Sequence, residues 1–183
     1  TYNHSQRLGA SEQLYLESFD AGVDSGQRFI FSYNANSDAD VSQIEPSVEA
    51  FLAHAKLKGG PTVLGLSMNA VGIYRDNQPF FDREIQVARA NGMTVQIHYL
   101  EDYANREEEQ GRWPKILQAK ALGKDVSYAH FIHTTDAILI QTAEQGGAMI
   151  WNPLSNGRLA SGLPDIEDYL QRGIRIGLGV DGA

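Results

Sequence analysis

Cysteine is absent from this 183-residue chain. The absence excludes a disulfide framework, a thiolate nucleophile and cysteine-bound zinc. Basic residues are also few, since 15 Lys and Arg stand against 23 Asp and Glu for a net charge of −8. Because phosphate backbones are bound through basic surfaces, we expect no nucleic-acid partner. No apolar run approaches the roughly 20 residues of a membrane span, so we expect no membrane partner either. A cytoplasmic location agrees with this composition, and we expect it.

Strand and helix patterns alternate along the whole chain. Hydrophobic side chains make up 42% of the residues and charged ones 21%, which is ordinary for a globular domain. After a strand tail at 1–4, strands are predicted at 29–33, 62–67, 93–99, 126–131, 148–151 and 174–180. Helices are predicted at 11–23, 44–58, 80–91, 113–122, 136–145 and 164–172, while the acidic run Glu107–Glu109 is predicted to be a solvated loop. We predict that residues 1–183 form a single domain.

The strand runs are continuously apolar, as expected for parallel strands that are buried on both faces. One strand–helix step recurs about every 30 residues, the length of a βαβ unit. A doubly wound sheet and a β/α barrel both use this step. No Gly-x-Gly-x-x-Gly turn follows the first strands, and ionisable residues stand at several separate strand ends. Both points favour the (β/α)8 TIM-type barrel, present here as an incomplete barrel with about six full strands.

Three predicted strands end in side chains that can bind a metal or move a proton. His98 and Glu101 stand where one strand leaves the sheet, and the imidazole there could bind a divalent metal while the carboxylate transfers a proton. The alternative is a histidine that bonds a neighbouring carbonyl beside a solvated glutamate. Asp181 ends the last apolar run, where a buried carboxylate needs a partner. A turn or helix-cap aspartate is the alternative for Asp181.

Two further histidines end the strand predicted at 126–131. On an extended strand, the spacing of His130 and His133 puts the two side chains on opposite faces. We therefore expect His130 to line the mouth of the barrel and His133 to have a structural role. His54 lies on the apolar side of a predicted helix and is also interpreted as structural, whereas His4 follows a strand tail and could contact substrate.

These residues together resemble the amidohydrolase superfamily, in particular its branch of cytosine deaminases, chlorohydrolases and triazine hydrolases. The resemblance is carried by residues 96–101 (QIHYLE), 129–133 (AHFIH), 152–162 (NPLSNGRLASG) and 177–182 (GLGVDG). It extends from about residue 90 onward and is looser before that. It implies a metal-dependent β/α barrel that hydrolyses C–N, or sometimes C–Cl, bonds of small heterocyclic or amide-like substrates.

The resemblance also implies roles for individual residues. His98 is similar to the metal ligand of the fifth strand and Glu101 to the proton shuttle. His130 is similar to the sixth-strand histidine that holds substrate or water, and Asp181 to the eighth-strand aspartate that both binds the metal and accepts a proton. The metal would be one Zn²⁺ or Fe²⁺ per site. Asn156 and Arg158 follow the seventh strand; Arg158 is a candidate for substrate contact, and Asn156 is expected to be structural, with substrate contact as its alternative. A homo-oligomer is compatible with the resemblance.

The chain departs from the family in lacking a His-x-His motif, which supplies two further ligands from the first strand. A catalytic zinc site normally has three protein ligands. We therefore expect these residues to be a segment of a longer protein, and we expect this segment alone to bind metal weakly and to lack activity. A catalytically silent barrel that serves as a binding or assembly module is the alternative function. The sequence does not identify the substrate.

Overall fold

A computed structural model describes residues 2–3, 12–35 and 40–181 of the chain. His4 lies outside these residues, so its role in substrate contact stays a prediction. The chain divides into two compact units, Thr1–Val95 and Gln96–Ala183. The prediction of one domain over 1–183 likewise stays a prediction. Among the described residues, no helix is both long enough and apolar enough to cross a bilayer.

The first unit contains three parallel strands in the order β1-β2-β3. Its elements are β1 (Tyr2–Asn3), α1 (Glu12–Asp24), β2 (Phe29–Tyr33), α2 (Val41–Lys58), β3 (Val63–Asn69) and α3 (Gln78–Ala90). Helix α2 begins three residues before its predicted start because the Asp40 side chain accepts a hydrogen bond from the Ser42 N–H at 2.9 Å. Asn77 caps α3 in the same way, through the N–H of Phe80 at 3.1 Å.

An aromatic core joins the helices and strands of the first unit. The Phe19 ring on α1 meets the edges of Phe31 on β2 and Phe51 on α2, with centroids 5.5 and 5.7 Å apart. His54 lies beside this core, and its Nε2 is 2.7 Å from an Asp20 carboxylate oxygen. His54 is therefore held in a structural position, in agreement with the sequence interpretation.

The second unit has the strand order β4-β5-β6-β7, and β5 pairs with β6 and β6 with β7 in parallel. Its elements are β4 (Thr94–Tyr99), α4 (Arg106–Gly111), α5 (Trp113–Gln118), β5 (Val126–His130), α6 (Asp136–Gln145), β6 (Ala148–Trp151), α7 (Pro153–Arg158), α8 (Ile166–Gln171) and β7 (Arg175–Leu178). Strand β5 is buried along its whole length. The Tyr128 ring of β5 stacks on Phe131 with centroids 4.7 Å apart, and this pair forms the centre of the core.

Two sequence predictions for the second unit are wrong. The Glu107–Glu109 run is not a solvated loop but part of α4, and Glu109 is buried, where its carboxylate accepts the N–H of Asp102 at 3.1 Å. The last strand is not a buried apolar run either, since Leu178 is 76% exposed and Val180 68%. Strand β7 stands at the end of the strand order, so among the described residues only β6 pairs with it.

Candidate active site

Two consecutive strands of the second unit end in the predicted ionisable groups. His98 is the penultimate residue of β4, Glu101 follows that strand by two residues, and His130 is the last residue of β5. The backbone turns sharply at both ends, because Leu100 and His130 have φ angles of 58° and 70°. Such left-handed conformations are costly for residues with a side chain and concentrate at functional sites.

His130 lies at the centre of the resulting cluster. Its Nε2 is 3.1 Å from Nδ1 of His98, 3.4 Å from Oε2 of Glu101 and 3.8 Å from Oδ2 of Asp181. The His130 side chain is only 1% exposed, whereas both carboxylates are about a quarter exposed. The four residues singled out in the sequence thus converge at the carboxyl ends of strands within one unit.

Burial controls the protonation of this cluster. It lowers the pKa of both His98 and His130; for His130 the neighbouring His98 lowers the pKa further, while Asp181 acts in the opposite direction. Burial also raises the pKa of Glu101 to about 7, and the negative charge of Asp181 adds to this rise. Near neutral pH the two imidazoles are therefore neutral, and Glu101 is divided between its protonated and ionised forms.

The opposite edge of the His130 ring contacts two asparagines that the sequence did not assign to it. Nδ2 of Asn156 on α7 lies 3.0 Å from Nδ1 of His130, and Nδ2 of Asn152 lies 3.4 Å from the same atom. Both asparagines are buried. Asn152 and Asn156 belong to the 152–162 segment that carries the family resemblance, which was the available signal for them.

A cavity of about 450 Å³ opens beside Glu101. Its lining residues are Glu101, Asp102, Tyr103, Ala104, Leu159, Ala160 and Ser161. A space of this size falls within the range of pockets that hold small organic ligands. The cavity gives a small molecule direct access to the carboxylate of Glu101.

Arg158 and His133 lie outside the cluster around His130. Arg158, at the end of α7, is exposed. His133 places Nε2 2.6 Å from the Ser161 carbonyl oxygen, which agrees with a structural histidine. The two histidines therefore lie in different surroundings; their separation comes from the turn after His130, where β5 ends, and not from an extended strand.

The cluster also has the composition of a metal site. One ligand atom from each of His98, Glu101 and His130 lies within 4.8 Å of the other two. Imidazole nitrogen and carboxylate oxygen are the donors that bind Zn²⁺ in catalytic sites of proteins that use no cysteine. The residues present therefore fit a divalent transition metal.

Comparison with known proteins relates this site to a family. The sequence model of the amidohydrolase family matches residues 2–183. A 5-methylthioadenosine/S-adenosylhomocysteine deaminase of Thermococcus onnurineus is 27% identical over 88% of this chain and 40% of its own length. The chain spans well under half the length of the curated relatives that it matches, for some of them about a quarter.

Solved structures share the same fold. The mutant E241Q of an atrazine chlorohydrolase from Arthrobacter aurescens, complexed with zinc and atraton, has a TM-score of 0.77 at 20% identity, over 95% of this chain and 42% of the other. A guanine deaminase from C. acetobutylicum with bound guanine has a TM-score of 0.75 at 16% identity, over 93% and 44% of the two chains. These likenesses confirm the predicted fold class, an incomplete (β/α)8 barrel. Because the family model covers nearly every residue, the chain belongs to the amidohydrolase family.

Proposed function

We propose that the protein is a metal-dependent hydrolase that removes an amino group from a small heterocyclic substrate. The observation that carries this proposal is the convergence of His98, Glu101 and Asp181 on His130 beside a cavity of about 450 Å³. In such a reaction water adds to the carbon that bears the amino group, and the C–N bond breaks. One molecule of water is consumed and one of ammonia is released.

Zinc is the metal that the donor set favours, with Fe²⁺ as the other candidate. His98 would hold it together with Asp181, which reaches the same cluster beside His130, and with ligands from outside the described residues. Glu101 and His130 also lie within ligand distance of His98, but the resemblance gives them other roles. When bound, the metal would act as a Lewis acid and lower the pKa of water toward neutrality. This assignment leaves Glu101 and His130 to act on the substrate.

Glu101 is the group proposed to move the proton. A carboxyl group whose pKa is about 7 can both accept and donate a proton at neutral pH, which suits a general acid–base catalyst. It would transfer a proton from water to the ring nitrogen or to the leaving amine, because it borders both the cluster and the cavity. Asp181 would accept a proton from the attacking water, and His130 would hold the substrate or the water through Nε2.

Aminated purines and related heterocycles are the proposed substrates. Relatives named as deaminases of adenosine derivatives and a structural neighbour with bound guanine support this class. The chlorohydrolase likeness supports C–Cl bonds as a second class. Arg158 and His4 are proposed as outer contacts of the substrate. The guanidinium of Arg158 is exposed, and His4 lies outside the described residues. Substitution of each residue would test its contact directly.

A turnover screen of the full-length protein would test the proposal. The panel should contain aminated pyrimidines, purines and triazines, with added Zn²⁺ and with ammonia release as the readout. We expect turnover of at least one aminated heterocycle, and we expect Glu101→Gln to lower kcat by about 10²- to 10⁴-fold, the range for loss of a general acid–base.

Glu107→Gln is the matched control, because it removes the same charge from an exposed position on α4. It should leave turnover unchanged. Full activity of the Glu101→Gln variant would rule out the role given to Glu101. A protein that binds no zinc and turns over no member of the panel would favour a binding or assembly module instead.

A further inference from the structure

The two nitrogens of the His130 ring have different neighbouring groups. Nδ1 faces the side-chain amide nitrogens of Asn156 and Asn152, at 3.0 and 3.4 Å. Nε2 faces Nδ1 of His98 and carboxylate oxygens of Glu101 and Asp181, at 3.1, 3.4 and 3.8 Å. One edge of the ring thus meets hydrogen-bond donors, and the other meets a nitrogen and two oxygens that can accept.

An amide nitrogen can only donate, so Nδ1 of His130 must be the acceptor. A proton on Nδ1 would point at two N–H groups. This disfavours both the neutral tautomer that is protonated at Nδ1 and the imidazolium, which is protonated at both nitrogens. A proton on Nε2, by contrast, has Nδ1 of His98 at 3.1 Å and a carboxylate oxygen of Glu101 at 3.4 Å as possible acceptors. The contacts of Nδ1 therefore require the tautomer with the proton on Nε2, and the neighbours of Nε2 are compatible with it.

The asparagines are held firmly enough to impose this choice. The Asn156 side chain is fully buried, so its amide cannot turn to solvent, and its Nδ2 lies 3.0 Å from Nδ1 of His130. The main chain ties the pair together, since the Asn156 N–H donates to the Asn152 carbonyl at 2.9 Å. The backbone at Gly179 covers Asn152 so closely that a Cβ there would be 2.0 Å from its Oδ1.

We propose that Asn156, assisted by Asn152, is a positioning residue that fixes His130 in the tautomer protonated at Nε2. His130 is then a hydrogen-bond donor to substrate or water and does not offer Nε2 to the metal. This gives Asn156 a structural role, as expected from the sequence, in preference to the alternative of substrate contact. The tautomer itself is independent of the proposed function, whereas its consequences for zinc binding and turnover rest on that function.

Nitrogen NMR of the full-length protein with ¹⁵N-labelled histidine tests the tautomer directly. Two-bond ¹H–¹⁵N correlations distinguish protonated from unprotonated ring nitrogens, and His130→Gln identifies the His130 signals. We expect Nε2 protonated and Nδ1 unprotonated, both in metal-free protein and with Zn²⁺ added. A wild-type spectrum with Nδ1 protonated would overturn the proposal.

Two substitutions of Asn156 test its part in this arrangement. In Asn156→Asp a carboxylate of the same shape accepts a hydrogen bond from an Nδ1–H group, so we expect Nδ1 of His130 to be protonated. In Asn156→Leu the donor is lost, and a mixture of tautomers should appear. If both variants keep the wild-type tautomer, Asn156 does not set it. Asn156→Asp is nearly isosteric, so it decides the question alone if Asn156→Leu fails to fold.

Zinc affinity, measured by competition with a chelator, gives a second readout. In Asn156→Asp the Nε2 lone pair becomes available and is backed by a carboxylate, so zinc should bind about 10- to 100-fold more tightly. Gln145→Glu also replaces an amide by a carboxylate, at an exposed position at the end of α6, and should leave zinc affinity within about threefold. An equal gain in both variants would show a general charge effect and would overturn the claim for His130.

The failure of the tautomer assignment and the failure of the proposed function can be told apart. If the tautomer changes as expected in the variants but the wild-type protein neither binds zinc nor turns over any substrate, the proposed function fails and the tautomer assignment stands.

Discussion

Glu84 shows how one buried side chain can hold a loop of this fold. It lies on α3 and is fully buried, and its carboxyl oxygens accept the backbone N–H groups of Val71 and Gly72 at 2.9 to 3.1 Å. These two residues belong to the loop after β3. Burial raises the pKa of Glu84 to about 8, although the two N–H groups and Arg75 act against the rise. Glu84 is therefore a carboxyl group that the folded state keeps protonated through most of the neutral range.

The raised pKa of Glu84 predicts how stability depends on pH. Since an unfolded glutamate has a pKa of about 4.3, the folded state binds the extra proton between that value and about 8. The stabilisation is complete below the unfolded pKa and is lost as the pH rises toward 8. Replacing Glu84 by Gln removes this titration. We expect the unfolding free energy of wild type to fall by roughly 3 kcal/mol more than that of Glu84→Gln between pH 5 and 8.

Urea unfolding of the full-length protein at several pH values would measure this difference. Glu49→Gln is the control, because it is the same substitution at an exposed position on α2. It should follow the wild-type curve. Parallel curves for wild type and Glu84→Gln would show that Glu84 is ionised in the folded state over the whole range.

The sequence identified site residues whose position follows from the end of a strand, and it missed those whose position depends on tertiary packing. His98, Glu101 and Asp181 could be found because a side chain at the end of a parallel strand must lie at one edge of the sheet, whatever the details of packing. Asn152 acts through a contact that depends on how closely α7 and the end of β7 approach His130. Such a distance is set by tertiary packing, and no local pattern encodes it.

At the scale of elements, the close approach of the β7 end to Asn152 depends on Gly179. A Cβ at this position would lie 2.0 Å from Asn152 Oδ1 and 3.1 Å from Ile150 Cγ2. Gly177, two residues earlier, has its nearest neighbour at 3.9 Å, the Met149 carbonyl oxygen, which is ordinary contact. The two glycines therefore differ sharply in the space around them, although both belong to the same motif.

We expect Gly179→Ala to lower the unfolding free energy by about 1 to 3 kcal/mol, because a methyl group has to displace the buried amide of Asn152. Gly177→Ala should change it by less than about 0.5 kcal/mol. Chemical denaturation of both variants would measure the difference. Equal effects of the two substitutions would mean that the chain after β7 can move away from Asn152 at little cost.

The ends of a helix could be predicted from the sequence where the capping residues stand directly beside the helix in the chain. Helix α6 begins after Thr135 and ends before Gly146, as predicted, because a side-chain cap and a left-handed glycine fix its two ends. Helix α4 was missed, since its three glutamates carry no apolar periodicity. Its contacts are tertiary: the Glu109 carbonyl accepts the Tyr99 hydroxyl at 2.7 Å, and the Glu109 carboxylate binds the loop after β4.

For the chain as a whole, negative charge is the property that would bear on the choice among the proposed substrates. The chain carries a net charge of −8, and the cavity beside the cluster is lined by the carboxylates of Glu101 and Asp102. Among the described residues that line it, none is basic. A ligand that carries a phosphate group would meet repulsion from the global field and from both carboxylates.

If the protein deaminates nucleosides, we therefore expect it to discriminate against their 5′-monophosphates. The kcat/KM of the monophosphate should be at least about tenfold lower than that of the nucleoside at low salt, and the gap should narrow as salt screens the repulsion. A neutral 5′-ether of similar bulk is the size control and should be turned over like the nucleoside. If the kcat/KM of the ether is as low as that of the monophosphate, steric exclusion is responsible.

If the monophosphate and the nucleoside have equal kcat/KM, basic groups outside the described residues must bind the phosphate. The negative charge of this chain then does not set the choice of substrate.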